Sequence, residues 1–212
     1  LYNAKMMFAQ IKRTWKIFRR FMFSEMVWTW PKQSDVLIFD ASNQELLLRF
    51  LEPWSPEILH VRGEQINMRV LIASIFKSGS KTDAYVDCFV TKVCPRLVVT
   101  YIDNNINFLT ISQRHPNVKT LFIQNGLRSY YEDLFDALDK MGSSSVKGKL
   151  KVDYMLSFGS VIGSEYTRYI SGTVVPVGSI KNNLVPKSPN IQKGVIAYIS
   201  TWQKLSFHLF GK

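Results

Sequence analysis

The sequence predicts an α/β fold with a Rossmann-like, mainly parallel sheet, and three observations carry that expectation. Short β-rich runs alternate with helical stretches between residues 33 and 181. Two of the runs, Val36 to Phe39 and Leu97 to Val99, are apolar at every position, as strands covered on both faces are. Each run ends in a cluster of polar residues or glycine. Strands separated by helices imply right-handed βαβ crossovers and parallel pairing. The expected strands are Asp35 to Phe39, Glu57 to Val61, Arg96 to Ile102, Lys119 to Ile123, Val152 to Ser157 and Thr173 to Val177. The expected helices are Gln44 to Leu51, Asn67 to Lys77, Asp83 to Val93, Asn105 to Arg114, Tyr130 to Lys140 and Ser160 to Ile170. Gly142 to Lys149, with three serines and two glycines, reads as a loop.

Composition narrows the class. Hydrophobic residues make up 46% of 212 and charged residues 20%, a balance that supports a packed core and excludes wholesale disorder. No run of about 18 uninterrupted apolar residues occurs, so a membrane-spanning helix is not expected. Cys88 and Cys94 stand without a second pair or a histidine at ligand spacing. They read as buried thiols on a helix, and neither a metal nor a cofactor is expected. Few cysteines and no secretory pattern point to a cytoplasmic setting.

The formal charge of +11 is concentrated at one end. Residues 1–32 hold seven Lys and Arg against Glu25 alone. Within them Phe8, Ile11, Trp15, Phe18 and Met22 recur every three to four positions, and Pro31 stops the helix. A basic amphipathic helix over 4–28, ending at Trp28 and Trp30, suits a membrane interface, with packing on the domain as the alternative. Nucleic-acid binding is disfavoured, because the basic residues cluster only in this arm. The expected organisation is an arm at 1–32, the sheet domain at 33–181, a linker at 182–193 containing Pro186 and Pro189, and from 194 the first strand of a second domain, left truncated.

Ligands of open parallel sheets bind outside the carboxyl ends of the strands. The residues expected there are Asp40, then Arg62 and Glu64, then Asp103 and Asn104. Gln124, Asn125, Gly126 and Arg128 follow, then Gly159 and Ser160, and finally Lys181 and Asn182. Asp, Asn, Ser and Gly also make turns and helix caps, so each cluster alone is ambiguous. Together, with Arg62 and Arg128, they suit a polar, anionic or sugar-like ligand. Asp40, Glu64 and Asp103 are the acids at strand ends and so the candidate catalytic bases. No Gly-x-Gly-x-x-Gly, Walker A, Asp-x-Asp or Gly-x-Ser-x-Gly motif is present, which removes the main support for dinucleotide, P-loop, metal-diphosphate and serine-hydrolase chemistry. His60, His115 and His208 have no identifiable partners in the sequence.

Several of these runs carry a family resemblance. Val36-Leu37-Ile38-Phe39-Asp40, Val61-Arg62-Gly63-Glu64, Tyr101-Ile102-Asp103-Asn104, Arg114-His115-Pro116-Asn117, Phe122-Ile123-Gln124-Asn125-Gly126, Phe158-Gly159-Ser160 and Val177-Gly178-Ser179-Ile180-Lys181-Asn182-Asn183 resemble bacterial surface-carbohydrate biosynthesis proteins. That group is similar to glycosyltransferases of the two-domain GT-B architecture and distantly similar to teichoic-acid glycerophosphotransferases. The resemblance implies a GT-B N-terminal, acceptor-side domain. It implies a nucleotide-sugar donor held mainly by a second domain, a glycan or lipid-linked acceptor, and peripheral attachment at the inner face of the cell membrane. Gln124 stands roughly where the glycerophosphotransferases carry a functional histidine, so a histidine-base mechanism does not carry over. A chain ending inside the second domain is expected to be inactive alone. The alternative is a non-catalytic sugar- or nucleotide-binding module recruited to a membrane or partner.

Overall fold

The computed structural model describes residues 22–77, 79–128, 133–140 and 150–184. Eight strands are present among them: β1 (Glu25–Val27), β2 (Val36–Phe39), β3 (Glu57–Leu59), β4 (Gln65–Asn67), β5 (Leu97–Thr100), β6 (Lys119–Ile123), β7 (Lys151–Ser157) and β8 (Ser171–Pro176). The helices are α1 (Gln44–Leu51), α2 (Met68–Ile75), α3 (Lys81–Val93), α4 (Ile111–Arg114), α5 (Leu134–Lys140), α6 (Ser160–Thr167) and α7 (Ile180–Asn183).

Six strands form one sheet in the order β3-β2-β5-β6-β7-β8, and every neighbouring pair is parallel. This is the expected Rossmann-like α/β architecture. In chain order the strands lie 2-1-3-4-5-6, a doubly wound arrangement that differs from the dinucleotide-binding order 3-2-1-4-5-6. The chain steps from β2 outward to β3, then crosses back to place β5 on the other side of β2. The topological switch point therefore falls between β2 and β5.

Alternation along the strands explains why the sheet is double-sided. Leu37 and Phe39 enter one core with Val98, Phe122, Met155 and residues of α3, α5 and α6. Val36 and Ile38 enter the other with Val99, Tyr101, Ile123 and Leu47 of α1. On the larger side the Tyr166 ring packs 5.0 Å from Phe122 and 5.5 Å from Phe135, centroid to centroid, which ties α5 and α6 to β6.

β6 and β7 are also joined by a polar clasp. Asp153 accepts from the Thr120 amide at 2.9 Å and from Lys119 Nζ at 3.0 Å. Burial alone would raise its pKa, but the amide, the ammonium and the Thr120 hydroxyl outweigh that and hold it below the ordinary 3.8. A carboxyl held low stabilises the fold above its unfolded pKa and loses that contribution as pH falls through the folded value. Asp153→Asn is therefore expected to cost about 1–2 kcal/mol at neutral pH. The difference from the parent should begin to shrink as pH falls below 3.8 and vanish once pH passes the lowered folded pKa, as denaturant titrations at several pH values would measure.

The N-terminal segment departs from expectation. The helix predicted to run to Trp28 has given way by Glu25, where β1 pairs in parallel with β4. Asn67 of β4 donates its side-chain amide to the Thr29 carbonyl at 2.8 Å. Trp30 lies 4.4 Å from Lys92 Nζ and 5.8 Å from the Arg69 guanidinium, measured to its ring centroid. Pairing with β4 satisfies backbone at Glu25 to Val27 that a longer helix would have used, and the β-branched Val27 suits a strand. The rest of the predicted arm, residues 1–21, lies outside the described residues, as do the 142–149 loop and the strand expected from 194. α7 continues through Asn183, so the start of the predicted linker is helical.

Three smaller corrections follow. Cys88 is buried, but Cys94 is exposed, ending α3 in a left-handed conformation at φ 56°. The helix expected over 105–114 resolves into a turn, a 3-10 segment at Phe108–Thr110 and the short α4. Asn105 folds back to accept the Asn107 amide at 3.0 Å, the local bond by which asparagine competes with a helix. His115 does have a partner, Asp87, at 3.0 Å, and the same carboxylate takes Arg114 Nε at 2.7 Å.

Candidate functional site

The carboxyl ends of β2 and β5 open into a cleft of about 450 Å3 at the switch point, where doubly wound sheets bind ligands. Asp40, Val61 and Arg62 line it from one side, and Asn104, Asn105 and Asn107 from the other. Asp40 is the only acid among its described lining residues.

β2 ends in a sharp turn that aims Asp40. The residue adopts φ 77°, and its Oδ1 accepts the Ser42 amide at 2.9 Å. Its Oδ2 accepts Arg62 Nε at 2.8 Å, from the chain leaving β3. The Asp40 side chain is 1% exposed and that of Arg62 is 49% exposed. The pair thus fixes a guanidinium at the cleft with its terminal nitrogens making no hydrogen bond to a described residue. That leaves the fork, the part of arginine suited to carboxylate or phosphate, open. Two further buried atoms at this end have no partner among the described residues: the Tyr101 hydroxyl, just after β5, and Gln44 Oε1, at the start of α1. Burial, and secondarily Asp103, raise the Tyr101 pKa, so its hydroxyl stays a neutral donor. Lys181 of α7 places Nζ 5.4 Å from the Tyr101 ring centroid.

Asp103, Asn125 and Arg128 form a different assembly, beneath the ends of β5 and β6. Asp103 is 0% exposed and the Arg128 side chain 7% exposed. Arg128 grips the carboxylate at both oxygens, with Nε at 2.7 Å from Oδ2 and a terminal nitrogen on Oδ1. It also bonds Asn125 Oδ1 and reaches Asp133 at 3.1 Å. Tyr166 donates its hydroxyl to Asp103 Oδ2. Burial pulls the Arg128 pKa down, but its bond to Asp103 and the charges of Asp103 and Asp133 raise it overall. Burial, with the Asp103 charge, pushes the Tyr166 hydroxyl well up. Arg128 stays charged and Tyr166 stays protonated, and the Asp103 oxygens are occupied by protein donors.

The other predicted residues divide similarly. Gln124 is buried and spans the ends of β6 and β7, accepting the Phe158 amide and donating to the Gly126 carbonyl, each at 2.8 Å. Gly159 caps α6, and its carbonyl takes the Ser157 hydroxyl at 3.0 Å. Ser160 and Asn182 are exposed on their helices, and Glu64 is exposed beside β4. Glu64 does not line the cleft. The structure therefore brings Asp40, Arg62 and Asn104 together, and sets Asp103, Asn125 and Arg128 in a separate buried network. Asn107 and Tyr166 were missed. Asn107 follows two asparagines at the end of β5, a signal that could have found it, whereas Tyr166 meets Asp103 across 63 residues, which no local pattern reveals.

Residues 121–211 match a family described as "putative O-antigen biosynthesis protein". The match supports a role in surface-carbohydrate biosynthesis. It takes in Gln124, Arg128 and Tyr166 but not Asp40, Arg62 or Asn104, which precede it. No curated protein and no solved structure matches the chain. Among the described residues no group of His, Cys, Asp and Glu could hold a metal ion, and no helix is long and apolar enough to cross a membrane.

Proposed function

We propose that the switch-point cleft is the sugar-handling site of a glycosyltransferase-type step in surface-polysaccharide assembly. The observation that carries this reading is the Asp40–Arg62 pair, which puts one acid and one open guanidinium into the cleft that the topology creates. In this reading Arg62 meets an anionic group of a nucleotide-sugar or phosphorylated acceptor, and Asn104 and Asn107 hydrogen-bond sugar hydroxyls. Asp40 takes the proton from the attacking hydroxyl, since each of its oxygens keeps a lone pair beyond those used by Ser42 and Arg62. Glu64 and Asp103 have no such role here, one lying outside the cleft and the other filled by Arg128 and Tyr166.

Titration calorimetry with a sugar 1-phosphate tests the binding half. Arg62→Lys keeps a cation beside Asp40 but loses the planar fork. Affinity is expected to fall about tenfold, with little change in melting temperature. Equal affinity in the two proteins would remove Arg62 from the site.

The acceptor is a glycan or a lipid-linked saccharide, and the basic arm brings the domain to an anionic membrane surface. Because β1 belongs to the fold, the deletion that tests the arm removes residues 1–21 only. Co-sedimentation with anionic liposomes is expected for the whole chain and not for the deletion; equal pelleting would reject the anchor.

A further inference from the structure

A second cleft, of about 300 Å3, lies on the other side of Val61. Ile66 of β4, Leu71 of α2 and Val86 of α3 give it predominantly apolar walls. Among its described lining residues Lys81 is the one charged side chain and none is an acid. Lys81 Nζ donates to the Ile75 carbonyl at 3.2 Å, which holds the ammonium near the end of α2. His60, also in the lining, has a buried Nδ1 with no hydrogen-bond partner among the described residues. Folded proteins rarely leave such an atom unpaired without a ligand or water to meet it.

Apolar walls, a single cation and an orphaned ring nitrogen define complementary chemistry. A purely apolar ligand would leave His60 Nδ1 unmet and the Lys81 ammonium without a counter-charge. A small inorganic anion would leave the half-buried Ile66 and Leu71 facing water, where covering them is favourable. We propose that this cleft binds an anionic amphiphile, with its hydrocarbon chain against Ile66, Leu71 and Val86 and its phosphate or carboxylate at Lys81. The site stands apart from the transferase reading, because neither Asp40 nor Arg62 lines it.

Titration calorimetry of the 212-residue chain with butyl, hexyl and octyl phosphate tests this. Affinity is expected to rise by up to about fourfold per added methylene, the gain for burying one CH2. Octanol and inorganic phosphate should each bind more weakly than octyl phosphate. Lys81→Glu changes an exposed side chain and should weaken octyl phosphate by about tenfold while leaving octanol unchanged. Leu71→Asn should flatten the chain-length dependence, and Arg62→Lys should leave the octyl phosphate affinity and its chain-length dependence unchanged. Affinity independent of chain length, or unchanged in both the Lys81 and Leu71 variants, would overturn the proposal. So would loss of octyl phosphate binding in Arg62→Lys, which would assign it to the switch-point cleft instead.

Discussion

Asp103→Ala is expected to lower the stability of the domain by about 3–5 kcal/mol, the cost of removing one partner from a buried ion pair. The variant leaves the Arg128 guanidinium, 7% exposed, facing an emptied pocket, and it deprives the buried Tyr166 hydroxyl of its acceptor. Asp133, 18% exposed, still reaches Arg128 from the rim, so the loss is not larger. For a domain of this size the melting temperature should fall by about 10 °C, read by circular dichroism. Asp103→Asn keeps an acceptor oxygen and should lose less. Asp103→Ala combined with Arg128→Met should recover part of the loss, because no charge is then stranded. An Asp103→Ala protein as stable as its parent would mean that this network does not hold the ends of β5 and β6 together.

Asp40→Asn is expected to behave in the opposite way, lowering turnover while leaving the fold in place. The asparagine oxygen can still accept from the Ser42 amide or Arg62 Nε, so the turn after β2 keeps a tether. What it loses is the ability to take a proton. General-base catalysis contributes roughly 10²- to 10⁴-fold, and a drop of that order in nucleotide-sugar turnover is the predicted result. The measurement belongs on the protein as encoded, with binding of a sugar 1-phosphate followed in parallel. Unchanged turnover would take the base role from Asp40. Unchanged binding with no turnover in any form would instead favour a binding module.

The sheet was legible in the sequence because its signal is local. Val36 to Phe39 and Leu97 to Val99 are apolar throughout because both faces are covered, and each expected strand is found within a few residues. β1 and β4 were not legible, since each is three residues long and exists only by pairing with the other. The strand-end rule located the polar residues but could not sort them. Asp40 and Asp103 look alike in sequence, each an acid just after an apolar run. What separates them is Arg128 and Tyr166, brought to Asp103 from 25 and 63 residues away, against an Arg62 that stays half exposed beside Asp40. Strand order decided the rest, because the reversal between β2 and β5 is a property of the assembled sheet.

The claim that ligand binds at this reversal is tested most directly by amide chemical-shift mapping during titration with glucose 1-phosphate. Saturable shifts are expected at Asp40 to Ser42, at Arg62 and across Asn104 to Asn107, abolished or weakened in Arg62→Lys. Shifts confined to Gln124 to Arg128 and Gly159 to Ser160, or none at the β2 and β5 ends, would contradict it.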